Sequence, residues 1–113
     1  MTFNEIVMMV KDYFKGRKAE NNNQHFVTEV TITDAGKGVF YIEFDNEKIN
    51  VEPNSYPQKR DVHFTTDAQT FIDIVNGKLD PQKAFTSGKL KIDCLPFSLG
   101  KVNQFISIYG KVK

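Results

Sequence analysis

The sequence predicts an α+β domain of five strands and four helices. Three observations lead there. Apolar residues recur at helical spacing in the first segment and again in the last. Between His25 and Glu52 they alternate with polar residues, which is the period of an antiparallel sheet with one buried face. The strands lie largely in one block instead of alternating singly with helices, which argues α+β over α/β.

Taken in order, Thr2-Phe-Asn-Glu5 fits a capping box with Thr2 as N-cap. Phe3, Ile6, Val7, Val10, Tyr13 and Phe14 continue the helical stripe, predicting a helix from about residue 3 to 18. Glu20 to Gln24 is a polar loop. His25–Thr33 is the first strand, with Phe26, Val30 and Ile32 on one face and Thr28 between them. A turn through Asp34-Ala-Gly36 leads to Val39–Asp45, where Phe40, Ile42 and Phe44 share a face. Asp45-Asn-Glu47 turns the chain into Lys48–Glu52, and the loop from Pro53 to Arg60 leads to a fourth strand, Asp61–Thr65. Thr66-Asp-Ala-Gln69 fits a second capping box, opening a helix with Ala68, Phe71, Ile72 and Val75 on its buried face. Asn76-Gly77 stops it. Asp80-Pro81 is an N-cap followed by proline at the first helical position, so a short helix runs through Ala84-Phe85 to Gly88. Lys89–Cys94 alternates as the fifth strand, with Leu90, Ile92 and Cys94 inward. Pro96 opens a last helix to about Tyr109, striped by Leu99, Val102, Phe105, Ile106 and Tyr109.

The 113 residues fit one domain, 1–113, with enough chain to bury a real core. A net charge of +1 gives no pull toward nucleic acid. Lys15, Arg17 and Lys18 leave a transient membrane-surface contact as a secondary expectation. The one cysteine, Cys94, permits no intramolecular disulfide and suits a reducing compartment. The first apolar run, Ile6 to Val10, is far too short to span a bilayer, and neither a signal peptide nor a C-terminal address is apparent. A cytoplasmic location is expected.

The tripeptide Gly-Lys-Leu occurs twice, at Gly77 and at Gly88. A phosphate loop needs a longer Gly-x-x-x-x-Gly-Lys-Ser/Thr run, so that many N–H groups converge. Here each glycine follows a helix, which is the place of a C-terminal stop. His25, His63 and Cys94 show no metal-ligand spacing, and both histidines are expected at strand surfaces or edges. A Cys94 nucleophile would require an accessible thiol of lowered pKa, whereas the alternation turns Cys94 inward. What remains is apolar, notably ten phenylalanines and no tryptophan.

The stretch from Gly77 to Ile92, with Asp80-Pro81 and Ala84-Phe85 between two Gly-Lys-Leu tripeptides, resembles the signature of the sterol carrier protein type 2 lipid-transfer family. The order of elements upstream is similar as well. The resemblance covers essentially the whole chain and departs after Ile92, where Asp93-Cys94-Leu95-Pro96 stand in place of a Gly-Asp pair. The peroxisomal ending of the family is absent, so a stand-alone bacterial or archaeal member is expected. The resemblance implies a five-stranded, mainly antiparallel sheet covered by about four to five helices, with an apolar tunnel between the layers. It implies non-catalytic binding and transfer of a lipid: fatty acid, acyl-CoA, sterol or similar. No cofactor or metal is implied, and the oligomeric state is left open. Carried onto this chain, the tunnel lining is Phe40, Ile42 and Phe44 from the sheet, with Phe71, Ile74, Val75, Phe85, Val102, Phe105 and Ile106 from the helices. The last helix could swing as a lid. The competing expectation is a structural or protein-interaction domain with a filled core and no lipid.

Overall fold

The computed structural model describes residues 2–34, 38–93 and 99–113. Expectations for Cys94, Pro96 and the turn at Ala35-Gly36 lie outside the described residues, as does the departure at Cys94 to Pro96. Helix α1 (Phe3–Phe14) leads into strands β1 (His25–Ile32), β2 (Gly38–Asp45) and β3 (Lys48–Pro53). Then come β4 (Val62–Thr66), α2 (Ala68–Val75), α3 (Pro81–Thr86), β5 (Leu90–Asp93) and α4 (Leu99–Tyr109). The strands form one sheet in the order β3-β2-β1-β4-β5. Three ladders are antiparallel and one, β1 with β4, is parallel. The α+β class with a mostly antiparallel sheet is therefore as expected.

One sheet face carries the core. Phe26, Thr28, Val30 and Ile32 of β1 are buried there beside Phe40, Ile42 and Phe44 of β2 and Val62 and Phe64 of β4. The helices supply the opposing side chains: Ile6, Val7, Val10 and Phe14 from α1, Phe71, Ile74 and Val75 from α2, Ala84 from α3, and Val102, Phe105 and Ile108 from α4.

The other face is also covered at its centre, which corrects the expectation of a half-buried sheet. Val27 and Glu29 are buried. The connection from β3 to β4 has to cross from one side of the sheet to the other, and residues 54–61 do so over this face. Tyr56 packs edge-on against Tyr41 with ring centres 5.0 Å apart. Its N–H donates to Glu29 and its hydroxyl to Glu43, at 3.0 and 2.8 Å. Asp61 accepts from the Val27 N–H at 2.8 Å and pairs with Lys101 of α4 at 2.8 Å.

The capping box at Thr2 forms, with Glu5 N–H donating to Thr2 Oγ and Thr2 N–H to Glu5 Oε1. The helix stops at Phe14 instead of Lys18, because Gly16 takes a left-handed φ of 76° and Lys15 is already extended. Lys15, Arg17 and Lys18 therefore lie beyond the helix. The second capping box does not form as expected. Thr66 is the last residue of β4, and its hydroxyl donates to the Lys89 carbonyl of the segment entering β5. Asp67 is the N-cap instead, accepting from Thr70 N–H at 3.1 Å. The buried face of α2 shifts accordingly: Ile74 is buried and Ile72 is only half-buried.

Both Gly-Lys-Leu tripeptides end helices by the same device. Gly77 N–H donates to Ile74 C=O and Lys78 N–H to Asp73 C=O, while Gly88 N–H donates to Phe85 C=O and Lys89 N–H to Ala84 C=O. Each pair of hydrogen bonds makes a Schellman motif, which requires positive φ at the glycine, here 76° and 82°. Asp80 caps α3 by accepting from Gln82 N–H at 2.9 Å. A Cβ added at Gly88 would meet nothing within 4 Å, so only backbone conformation demands glycine. Gly88→Ala should therefore cost about 1–2 kcal/mol, and Gly88→Asn markedly less, since asparagine tolerates the left-handed region. Denaturant midpoints at unchanged m-value measure this; equal midpoints for glycine and alanine would contradict it.

Candidate ligand-binding groove

The C-terminal end of α2, the start of α3 and the second half of α4 do not close on one another. Between them lies a groove of about 300 Å³ lined by Ile74, Gly77, Leu79, Asp80, Pro81, Phe105, Ile106 and Tyr109. The Schellman stop at Gly77 makes it. The chain leaves α2 sharply, Asp80 restarts the helix after three residues, and the gap between the two helices faces α4. The lining is apolar apart from the Asp80 carboxylate and the Tyr109 hydroxyl. That hydroxyl donates to the Val75 carbonyl, tying α4 to the end of α2. Burial, then its contact with Tyr13, raises the Tyr109 pKa, so the phenol stays neutral. Across the exposed side, Gln82 donates to Asn103 at 2.9 Å and bridges α3 to α4.

The ten residues expected to line a tunnel fall into two layers. Ile74, Phe105 and Ile106 line the groove itself. Phe40, Ile42, Phe44, Phe71, Val75 and Val102 are buried behind it in the core. Phe85 is half-buried and packs against that core. Phe105 joins the layers: its ring centre is 5.1 Å from Phe64, 6.4 Å from Phe44 and 5.9 Å from Tyr109. Phe40 meets Phe71 edge-on at 5.4 Å. Leu79, Pro81 and Tyr109 are lining residues absent from that expected set. Tyr109 was legible on the helical stripe. Leu79 sits between two helices and Pro81 is the first residue of α3, places where periodicity carries no signal. Ile108, off the expected stripe of α4, is fully buried.

A larger, polar depression of about 460 Å³ lies between the end of α1 and β3, lined by Lys11, Asp12, Lys15 and Arg17 among others. Lys11 there pairs with Glu52 at 3.6 Å, and the Arg17 guanidinium lies over the Tyr13 ring. Neither groove holds a nucleophile beside a base.

The two histidines differ. His25 is at an exposed strand end, 2.6 Å from Glu43, whose hydrogen bond raises the His25 pKa. His63 is half-buried on β4, within 2.7 Å of the Thr31 hydroxyl, and burial lowers its pKa, with Arg60 adding to the effect.

The profile of the SCP-2 sterol transfer family matches residues 3–93. Hydroxysteroid dehydrogenase-like protein 2 of Danio rerio is 38% identical over 55 residues, covering 49% of this chain and 13% of that protein. The chain thus spans about an eighth of that curated relative. Among solved structures, palmitated SCP2L2 from Aedes aegypti superposes with a TM-score of 0.67 at 15% identity, over 96% of this chain and 95% of that one. The sec-alkylsulfatase Pisa1 from Pseudomonas sp. gives a TM-score of 0.64 at 20% identity, over 79% of this chain but 13% of the enzyme. At such identities these structures show a shared fold. No helix among the described residues is long and apolar enough to cross a membrane.

The opposite shifts of the histidines give opposite pH dependences. Below the unfolded value of about 6.5, unfolded chains bind a proton that native His63 resists, so its contribution is lost as pH falls. The His25 contribution is present below about 6.5 and lost as pH rises through its raised native value. His63→Gln should therefore flatten the loss of stability on acidification from about pH 7 to about pH 5, and His25→Gln should flatten a loss on the alkaline side. Denaturant midpoints from about pH 5 to about pH 9 check both; the same slope in His63→Gln as in the unsubstituted protein would contradict the first.

Proposed function

The chain belongs to the SCP-2 sterol transfer family, and from that premise we propose that it binds and carries a lipid without doing chemistry on it. The ligand classes are a fatty acid, fatty acyl-CoA, a sterol or a similar apolar molecule. The observation that carries this reading is the apolar groove between α2, α3 and α4, whose floor, Phe105, is continuous with the aromatic core. A solved structure of the same fold is described as palmitated, which supports an acyl-sized guest.

The energetics need no catalytic group. Each buried methylene contributes about 0.8 kcal/mol, so a long chain gains on the order of 10 kcal/mol before several are lost to ordering. The groove, at about 300 Å³, lies at the small end of ligand sites. A long chain therefore has to displace Phe105 and Ile106 and reach Phe40, Phe44 and Phe71 behind them. That makes α4 the lid. We place the domain in the cytoplasm, consistent with its single cysteine. Lys15, Arg17 and Lys18, all exposed just beyond α1, are where it would touch a membrane surface during transfer.

Delipidated protein should bind a fluorescent fatty acid, fatty alcohol or sterol saturably at micromolar concentration. Ile106→Glu, which places a charge on the half-buried wall of the groove, should weaken binding at least about tenfold while leaving the fold intact. Absence of saturable binding by all three probes would contradict the proposal and favour an interaction domain with a filled core.

A further inference from the structure

Thr28 is fully buried at the centre of the sheet, on the face that carries Phe26 and Val30. Among the described residues its hydroxyl is the buried side-chain polar atom without a hydrogen-bond partner. Such a group loses its bonds to water and gains nothing in return, and valine would fill the same space without that cost. Buried orphans of this kind call for an explanation.

The register shows what lies above it. Thr28 pairs with Ile42 on β2 and with Val62 on β4. Two residues away along β1, Phe26 pairs with Phe44 on one side and Val30 with Phe64 on the other. The Phe105 ring touches both Phe44 and Phe64. A ring that reaches these two diagonal neighbours must cross β1 at the row between them, which is the row of Thr28. Phe105 is also the floor of the groove. The orphan hydroxyl thus lies on the core face, in the row between the two residues that Phe105 meets.

We propose that Thr28 is the polar anchor of the bound lipid: with Phe105 moved aside, its hydroxyl pairs with a hydroxyl or carbonyl at the inserted end of an uncharged lipid. This rests on the lipid-binding reading and narrows it. The inserted end is uncharged because the groove has no cation to receive an anion. Its one charged lining residue is the Asp80 carboxylate, which would repel a carboxylate or phosphate passing it. A threonine hydroxyl can donate to a carbonyl, or donate to and accept from an alcohol. A long-chain alcohol or a sterol entering hydroxyl-first fits these conditions; a free fatty acid entering carboxylate-first does not.

The test compares dodecanol with dodecane as competitors of a neutral fluorescent lipid, in the unsubstituted protein and in Thr28→Val and Thr28→Ser. The ratio of alcohol to alkane affinity should fall roughly fivefold to tenfold in Thr28→Val, with dodecane affinity unchanged. Thr28→Ser should keep the ratio, and the denaturant midpoint of Thr28→Val should match or exceed that of the unsubstituted protein. An identical ratio in all three proteins would overturn the anchor and leave lipid binding standing. Failure of the unsubstituted protein to bind either competitor or the probe would overturn the lipid-binding reading, and the anchor with it.

Discussion

The place of α4 on the sheet depends above all on one contact, the seating of Phe105 between Phe44 and Phe64. α4 is amphipathic and would have no fixed place on the sheet without an anchor of this size. A buried aromatic side chain contributes about 1.5–3 kcal/mol through area alone, with ring pairing adding to it. Val102 and Ile108 are buried beside Phe105, and polar contacts add to these: Lys101 to Asp61, Asn103 to Gln82, and the Tyr109 hydroxyl to the Val75 carbonyl. Pairs of this kind are each worth about 1 kcal/mol or less at a surface. Phe105 is thus both the aromatic tie of α4 to the sheet and part of the groove lining, so whatever enters the groove competes with a contact that holds the helix.

The chain is arranged so that this competition stays local. The sheet is closed on its other face by residues 54–61, which are held by Glu29, Glu43 and the N–H of Val27. α1 is fixed along β3 and against Phe44 through Phe14. The rigid half of the molecule is therefore the sheet with α1, and the side that can yield is where α2, α3 and α4 meet. The two Schellman stops set that side: they bend the chain twice within about a dozen residues and leave a gap that no side chain of α3 fills.

Much of this was legible in the sequence because it is local. Helical stripes, strand alternation, Asp80-Pro81 and the two glycines each specify their element through the backbone within a few residues. The misses have nonlocal causes. Thr66 and Asp67 are both good caps, and the Lys89 carbonyl across the sheet claims Thr66. Gly16 did mark the end of α1, but the charges around it continue to read as a solvated helix face. Val27 and Glu29 look like outward residues until a proline-containing loop folds over them. Of the tunnel-lining residues that the resemblance put forward, Ile74, Phe105 and Ile106 line the groove. Leu79 and Pro81 belong to it only because two helix ends meet there, which no single segment encodes.

A filled aromatic layer can admit a guest only if part of it moves. In the proposed reading that part is α4: a guest entering the groove would displace Phe105 and with it the helix, while the sheet stays as it is. Amide hydrogen exchange with and without saturating lipid tests this directly. A marked change in exchange from Val102 to Tyr109 is expected on binding, with β1 and β2 unchanged. Identical exchange across α4 in the two states would contradict it.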